Sequence, residues 1–184
     1  MKILIVVDMQ KDFIDGALGT PEAAAITAGV AARIANGRGE LVLFTQDTHG
    51  DDYLSTPEGK KLPIVHCIKD TEGWEIDPAV KAAWQNHPDT ITAPELTENT
   101  FTKSVFGSAD LVEFLKSKQS EIESIEILGI CTDICVISNA IMIKNALPHA
   151  DISVNAALCA GVTPQSHREA LNVMKMCHID IIGE

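Results

Sequence analysis

The sequence is poor in aromatic residues, in positive charge and in long apolar runs, and each shortage excludes a class of protein. Phe, Trp and Tyr make up 4% of the 184 residues, so the core must be aliphatic. Fourteen Lys and Arg stand against 26 Asp and Glu, and the formal net charge of -12 repels nucleic acids and anionic membranes. No run approaches the roughly 18 apolar residues that a membrane span needs.

Linkers, repeats and low-complexity tracts are also missing, which favours a single domain over residues 1–184. The N-terminal apolar run is interrupted by Asp8 and has no small-residue cleavage site, so we do not expect a signal peptide. Five cysteines are an odd number, typical of reduced thiols in a cytoplasmic protein. We expect most of them to be buried as small hydrophobic side chains.

Apolar, β-branched runs alternate with segments of helical character along the chain. The predicted strands are Lys2–Val7, Glu40–Thr45, Thr90–Thr92, Ser124–Ile130, Asp151–Asn155 and Asp180–Ile182. Between them, a Thr followed by Pro at Thr20 and at Thr163 predicts two helix starts. This alternation is typical of βαβ units, so we predict a three-layer, doubly wound α/β fold with a mainly parallel six-stranded sheet.

Polar side chains follow four of the predicted strands. The first is followed by Asp8, the second by Asp47 and His49, the third, after an irregular stretch, by Lys103, and the fourth by Cys135. Because parallel sheets bind ligands beyond the carboxyl ends of their strands, these side chains should meet at one edge. Asp8, partly desolvated after an apolar strand, is a candidate base, and Lys103 is a candidate cation beside a thiol nucleophile.

Cys135 is predicted to lie in the first turn of the helix that follows the fourth strand. The positive end of that helix should favour a thiolate, and its free N–H groups could hold an oxyanion. A buried structural cysteine is the alternative. For Cys131, four residues earlier, the thiol is interpreted as structural and the backbone N–H as the functional group.

A second set of residues has the composition of a metal site. Asp47 and His49, two apart on an extended segment, point to the same side, and His66 comes from a separate segment. Two imidazoles and one carboxylate are a common ligand set that leaves positions open for water or substrate. Zinc is the first choice for the divalent metal, with iron or manganese as alternatives. The other histidines are interpreted as structural or solvated: His87, His149, His167 and His178.

Four motifs together resemble the cysteine-hydrolase superfamily of isochorismatase and the nicotinamidases. Val6–Phe13 is similar to its opening D-x-Q-x-D-F motif, and Thr45–His49 with His66-Cys67 is similar to the nicotinamidase metal segments. Thr102-Lys103 resembles the segment of the catalytic lysine, and Gly129–Val136 the nucleophile motif G-x-x-T-D-x-C-V.

The resemblance implies a triad of Asp8, Lys103 and Cys135, and a cis peptide bond before Cys131 that aims its N–H into an oxyanion hole shared with Cys135. It implies that Phe13 packs against the substrate ring, and that the metal holds the pyridine nitrogen. The implied activity is hydrolysis of nicotinamide to nicotinate and ammonia, as in NAD salvage, by a homo-oligomer.

One segment departs from the family. Lys103 is followed by Ser104–Ser108 in place of a Tyr-Ser-Ala-Phe type of segment, which removes one expected aromatic wall and leaves Phe106 or Trp74 to replace it. A related hydrolase of another amide or carbamoyl substrate is therefore the alternative function. Isochorismatase chemistry needs neither a thiol nor a metal, which counts against it. A non-enzymatic thiol or metal sensor, with a reversible Cys131–Cys135 disulfide, is the remaining alternative.

Overall fold

The described residues form one parallel sheet of six strands. The structure, a computed structural model, describes residues 1–87 and 96–184. The strands are β1 (Lys2–Val7), β2 (Glu40–Asp47), β3 (Thr100–Lys103), β4 (Ser124–Ile130), β5 (Asp151–Ala160) and β6 (Asp180–Ile182). Their order across the sheet is β3-β2-β1-β4-β5-β6, and every neighbouring pair is parallel. The predicted parallel sheet is confirmed.

Helices cover both faces of this sheet. They are α1 (Lys11–Ile14), α2 (Pro21–Asn36), α3 (Pro57–Lys61), α4 (Pro78–Gln85), α5 (Ala109–Ser117), α6 (Ile137–Ala146) and α7 (Pro164–Met176). Helix α2 contacts α4, whereas α6 contacts both α5 and α7. The two predicted Thr-Pro starts are confirmed: Thr20 accepts a hydrogen bond from the Ala23 N–H, and Thr163 forms a capping box with Ser166.

Two strands, β2 and β3, end at residues other than those predicted. β2 runs two residues further than predicted, so Asp47 is its last residue. The predicted strand Thr90–Thr92 lies outside the described residues, and the observed third strand, β3, ends on Lys103. Lys103 was expected beyond an irregular stretch; it lies instead in register with Asp47, because β3 pairs directly with β2.

β1 lies at the centre of the sheet and is buried from Ile3 to Val7, so its apolar run has no solvent face. The chain reaches the neighbours of β1 by winding in opposite directions, to β2 on one side and to β4 on the other. This reversal opens a crevice beyond the carboxyl ends of β1 and β4, where a sheet of this type binds its ligand. Within residues 1–87 and 96–184, no helix is both long and apolar enough to cross a bilayer.

Candidate active site

The carboxyl ends of three strands bring the predicted triad together. Asp8 follows β1 directly, Lys103 ends β3, and Cys135 lies in a π-helical turn, Thr132–Val136, between β4 and α6. The Lys103 Nζ is 2.6 Å from an Asp8 carboxylate oxygen and 3.6 Å from the Cys135 Sγ. All three residues are buried. The parallel pairing of the strands brings these residues close together although they lie 95 and 32 residues apart in sequence.

Burial and charge set the resting protonation states of the triad. Burial raises the pKa of Asp8, against the lowering effect of the Lys103 ammonium. Burial lowers the pKa of Lys103, but the negative charges around it, that of Asp8 foremost, raise this pKa well above its ordinary value. Lys103 is therefore a cation that compensates a buried carboxylate.

The start of a helix was expected to favour a thiolate at Cys135, and the surroundings of the sulfur oppose this effect. Burial, followed by the nearby Asp8 charge, raises the pKa of Cys135 well above its ordinary value, and Lys103 only partly opposes them. The positive charge expected to stabilise the thiolate is already paired with Asp8 at 2.6 Å. Cys135 is thus a neutral thiol at rest, and its proton must be removed during the reaction.

Two features hold the Asp8 carboxylate in place. The Thr45 hydroxyl donates a 2.6 Å hydrogen bond to the second Asp8 oxygen, a contact that the sequence reasoning missed. The Asp8 backbone has a φ of +45°, in the left-handed region that non-glycine residues seldom occupy. Such strain persists only where the surroundings impose it, here where Asp8 leaves the sheet while its N–H still bonds the Thr45 carbonyl.

The turn before Cys135 has the backbone form that the family resemblance implied. The Ile130–Cys131 peptide bond is cis, as expected. Gly129 has a φ of +122°, and a Cβ there would overlap the Val7 carbonyl oxygen, so only glycine fits. Burial raises the pKa of the Cys131 thiol to about 12, which agrees with its interpretation as an unreactive side chain.

Helix α7 and the segment just before it form hydrogen bonds with this turn. The fully buried Thr132 hydroxyl lies 2.8 Å from the His167 Nδ1, and the Asp133 carboxylate accepts a 3.1 Å hydrogen bond from the Val162 N–H. Burial lowers the pKa of His167, so the imidazole is neutral near pH 7. His167 was interpreted from the sequence as structural or solvated. It is structural, because its imidazole bonds Thr132 in the turn that carries Cys135.

Asp47, His49 and His66 converge as predicted. Their ligand atoms all lie within 4.8 Å of one another, and all three residues are buried. An Asp47 carboxylate oxygen is 2.9 Å from the His49 Nε2 and 3.5 Å from the His66 Nε2. Tetrahedral ligands with metal bonds of about 2.0–2.1 Å lie about 3.3 Å apart, so the donor set fits a divalent metal ion.

Neighbouring groups orient these ligands. The His66 Nδ1 is 2.8 Å from the Ile64 carbonyl, which directs Nε2 toward Asp47. Burial raises the pKa of Asp47, but hydrogen bonds with His49 and His66 lower it more, so the carboxylate is ionised. Asp47 is also 3.5 Å from the Lys103 Nζ, which joins the metal ligands to the triad.

Three further polar residues around the metal ligands carried no assigned role at the sequence level. The buried Gln10 amide bonds both the N–H and the carbonyl of Asp47, at 2.7 and 2.8 Å. Asp12 accepts a 2.7 Å hydrogen bond from the Cys67 N–H, next to His66. The Glu58 carboxylate, on α3, lies 4.0 Å from the His66 Nε2. The D-x-Q-x-D-F motif contains the first two, but their partners are distant in sequence.

A cavity of about 330 Å³ opens beside these groups. Its polar lining residues include Asp47, His66 and Glu58, and Cys131 and Cys135 also line it. The rest of its lining is mainly apolar: Phe13, Leu18, Leu62, Phe106, Ile134 and Val162. Phe13, expected to face the substrate, also packs 5.6 Å from His66, centroid to centroid.

The second aromatic residue of the cavity is Phe106. Trp74, the other candidate from the sequence, lies elsewhere: its indole N–H donates to the Thr48 hydroxyl, and its ring lines a separate cavity. The segment after Lys103, although it departs from the family motif, therefore still brings an aromatic residue to this cavity.

Comparison with known proteins assigns the family. Residues 2–183 match the Isochorismatase domain. The chain belongs to the isochorismatase family. It is 26% identical over 200 residues to the nicotinamidase/pyrazinamidase of Mycobacterium tuberculosis, an alignment that spans 99% of this chain and 98% of the relative.

Solved structures agree with this family assignment. The pyrazinamidase/nicotinamidase of Streptococcus mutans superposes with a TM-score of 0.79 at 27% identity, covering 99% of this chain and 100% of the other. The zinc complex of Pyrococcus horikoshii pyrazinamidase gives a TM-score of 0.75 at 27% identity, covering 100% and 99%. The predicted isochorismatase-like fold is confirmed.

Proposed function

We propose that this protein is a nicotinamidase, which hydrolyses nicotinamide to nicotinate and ammonia through a thioester on Cys135. The observation that carries the proposal is the contact of one buried ammonium, Lys103, with both Asp8 and the Cys135 sulfur. Cys135 of this cluster lines a cavity that is also lined by two metal ligands, Asp47 and His66. The relatives named nicotinamidase or pyrazinamidase support the same substrate.

The first half-reaction forms the thioester. Asp8 removes the thiol proton of Cys135 as the sulfur attacks the amide carbon, and the carbonyl oxygen becomes an oxyanion. The backbone N–H groups of Cys131 and Cys135 hold that oxyanion. Its collapse breaks the C–N bond, and Asp8 gives its proton to the leaving nitrogen, which departs as ammonia.

The second half-reaction releases the acid. Asp8 removes a proton from water as its oxygen attacks the thioester carbon, and collapse of the second oxyanion breaks the C–S bond. The proton returns from Asp8 to the sulfur, which restores the neutral Cys135. Lys103 keeps its positive charge throughout, and thereby stabilises the Asp8 carboxylate each time it re-forms.

Asp47, His49 and His66 are the proposed metal ligands, with zinc as the metal and iron or manganese as alternatives that accept the same donors. When bound, the cation supplies a Lewis-acidic contact for the ring nitrogen, which orients the substrate. Proton transfer and bond cleavage remain with Asp8 and Cys135. Phe13, which packs against His66, provides an apolar face for the ring next to the metal ligands.

A second candidate function, hydrolysis of another amide or carbamoyl compound, is favoured by the aliphatic lining of the cavity. Leu18, Leu62 and Ile134 contribute to it alongside the two phenylalanines. These side chains offer no hydrogen bonds, so the cavity would also accept amides with apolar, non-aromatic acyl groups.

Ammonia release from a panel of amides, before and after chelation, tests the function. We expect turnover of nicotinamide and pyrazinamide, with isobutyramide at least about tenfold poorer because it lacks the ring nitrogen. Chelation, or the variant His66→Ala, should raise the KM for nicotinamide. His149→Ala, at an exposed position, should leave it unchanged. Turnover of isobutyramide above that of nicotinamide would assign the second function, and full activity without metal would remove the metal from the mechanism.

We also propose that the enzyme is a cytoplasmic homo-oligomer. All five cysteines, each within the described part of the chain, are free thiols, which supports a reducing compartment. Several large apolar side chains are exposed in the segments that precede His66 and follow Lys103: Leu54, Ile64, Val65, Val105 and Phe106. Their exposure supports self-association. Light scattering should give a mass above 19.8 kDa, and a monomer at micromolar concentration would exclude the oligomer.

A further inference from the structure

Asn139, on α6, is a buried amide whose hydrogen bonds all go to other functional segments. Its Nδ2 donates to the Cys135 carbonyl at 2.8 Å and to the Phe106 carbonyl at 3.2 Å. Its Oδ1 accepts a 2.9 Å hydrogen bond from the Ser108 N–H. Both donor hydrogens and the acceptor of the side chain are thus used, and Asn139 has no exposed surface.

Two partners of Asn139, Phe106 and Ser108, lie in the short segment after Lys103, which we name the wall loop (Ser104–Ser108). This loop is packed directly on α6: a Cβ at Gly107 would overlap the Sδ of Met142. At its end, the Ser108 side chain caps α5 by accepting the Leu111 N–H. The loop is therefore held between α5 and α6, and Asn139 supplies the polar contacts in its middle.

The wall loop carries one wall of the substrate cavity. Phe106 lines that cavity together with Cys135, yet the residue is 47% exposed, so packing alone does not hold its ring. The main chain of Phe106 is held by Asn139, the same side chain that bonds the Cys135 carbonyl. One amide thus sets the position of the aromatic wall relative to the nucleophile.

We propose that Asn139 is a positioning residue for substrate selection, which holds Phe106 at a fixed distance from Cys135 and so sets the width of the substrate cavity. The inference rests on the proposed nicotinamidase function and adds to it a determinant for flat aromatic amides. Asn139 does not touch the substrate; it acts through Phe106. A purely structural role predicts a loss of stability with unchanged selectivity, which separates the two readings.

The first test is Asn139→Leu, which keeps the branched shape of the side chain and removes all three hydrogen bonds. The wall loop then gains freedom, and we expect the KM for nicotinamide to rise about five- to tenfold while kcat changes less. Asn145→Leu, at an exposed position of the same helix, is the matched control and should match the wild type. If the leucine variant does not fold, Asn139→Asp takes its place. The aspartate keeps the acceptor for the Ser108 N–H but lacks the donor to the Cys135 and Phe106 carbonyls, so it should also raise the KM for nicotinamide.

A double-mutant cycle ties the effect to the aromatic wall. Phe106→Ala alone should raise the KM about tenfold. Adding Asn139→Leu to it should raise the KM little further, because the ring that Asn139 positions is already gone. Additive effects, or a lowered melting temperature of Asn139→Leu with unchanged KM, would overturn the proposal.

A third measurement is independent of the natural substrate. Iodoacetamide and the bulkier iodoacetanilide both alkylate thiols, and mass spectrometry of the Cys135 peptide gives each rate. Asn139→Leu should raise the ratio of the alkylation rate with iodoacetanilide to that with iodoacetamide about fivefold or more, because a mobile wall loop leaves more room for the bulky reagent. If the wild type released no ammonia from nicotinamide, the proposed function would fail, whereas this ratio would still test the wall. An unchanged ratio of the two alkylation rates would show that Asn139 does not hold the wall loop in place, and would overturn the proposal.

Discussion

Replacing Cys135 with alanine is expected to lower kcat on nicotinamide by about 10⁴-fold or more, because no thioester can form without the sulfur. The substitution leaves the metal ligands untouched, so zinc affinity, measured by competition with a chromogenic chelator, should match the wild type. Cys135 lies at 6% exposure and its alanine variant loses only one buried sulfur, so the fold should persist.

Cys177→Ala is the matched control for this loss, because Cys177 is an exposed thiol at the C-terminal end of α7 and is not part of the candidate active site. It should retain full ammonia release. Release by Cys135→Ala within tenfold of the wild type would rule out covalent catalysis. In that case the hydrolysis would have to proceed by direct attack of water.

Replacing Lys103 with methionine is expected to cost about 3–5 kcal/mol of unfolding free energy, because it leaves a buried carboxylate without its cation. Lys103 is buried and contacts both Asp8 and Asp47, at 2.6 and 3.5 Å. With Lys103 gone, burial and the Asp47 charge would both raise the pKa of Asp8. The proton acceptor of the reaction would then be protonated, so activity should fall together with stability.

Urea unfolding measures this loss of unfolding free energy, and two further variants serve as controls. Lys116→Met removes an exposed ion pair with Glu113 and should change stability by less than about 1 kcal/mol. The double variant Asp8→Asn/Lys103→Met removes both charges of the buried pair and should recover most of the stability while remaining inactive. A Lys103→Met variant as stable as Lys116→Met would show that Lys103 does not compensate a buried charge.

The prediction that the functional side chains meet at one edge of the sheet was reliable, because it depends only on the order of the strands in sequence and on their parallel pairing. Asp8, Asp47 and the turn at Cys135 each come after a short, β-branched apolar run, which is typical of a buried parallel strand. Parallel strands joined by helices place their carboxyl ends at one edge, so the convergence of these side chains followed from local patterns. The spacing of Asp47 and His49 predicted the start of the metal site for the same reason.

Contacts between segments distant in sequence could not be predicted in this way. Thr45 and Gln10 act on Asp8 and Asp47 across strands, through hydrogen bonds that no local motif specifies. Lys103 was expected beyond an irregular stretch and instead ends β3, a strand that forms by pairing with β2. Asn139 has an ordinary place on a helix, and only packing brings Phe106 and Ser108 to its amide.

The amino-acid sequence by itself determined the parallel α/β architecture and the chemical groups at its active edge. Both follow from the order of apolar runs and from the residues that end them, which are local properties of the chain. Only the tertiary structure decided the protonation states and the shape of the cavity. The pKa of Cys135 depends on how deeply it is buried and on the prior pairing of Lys103 with Asp8, and the aromatic wall depends on how α6 packs against the wall loop. Burial and pairing are set by all the neighbours of a side chain together, and most of those neighbours are distant in sequence.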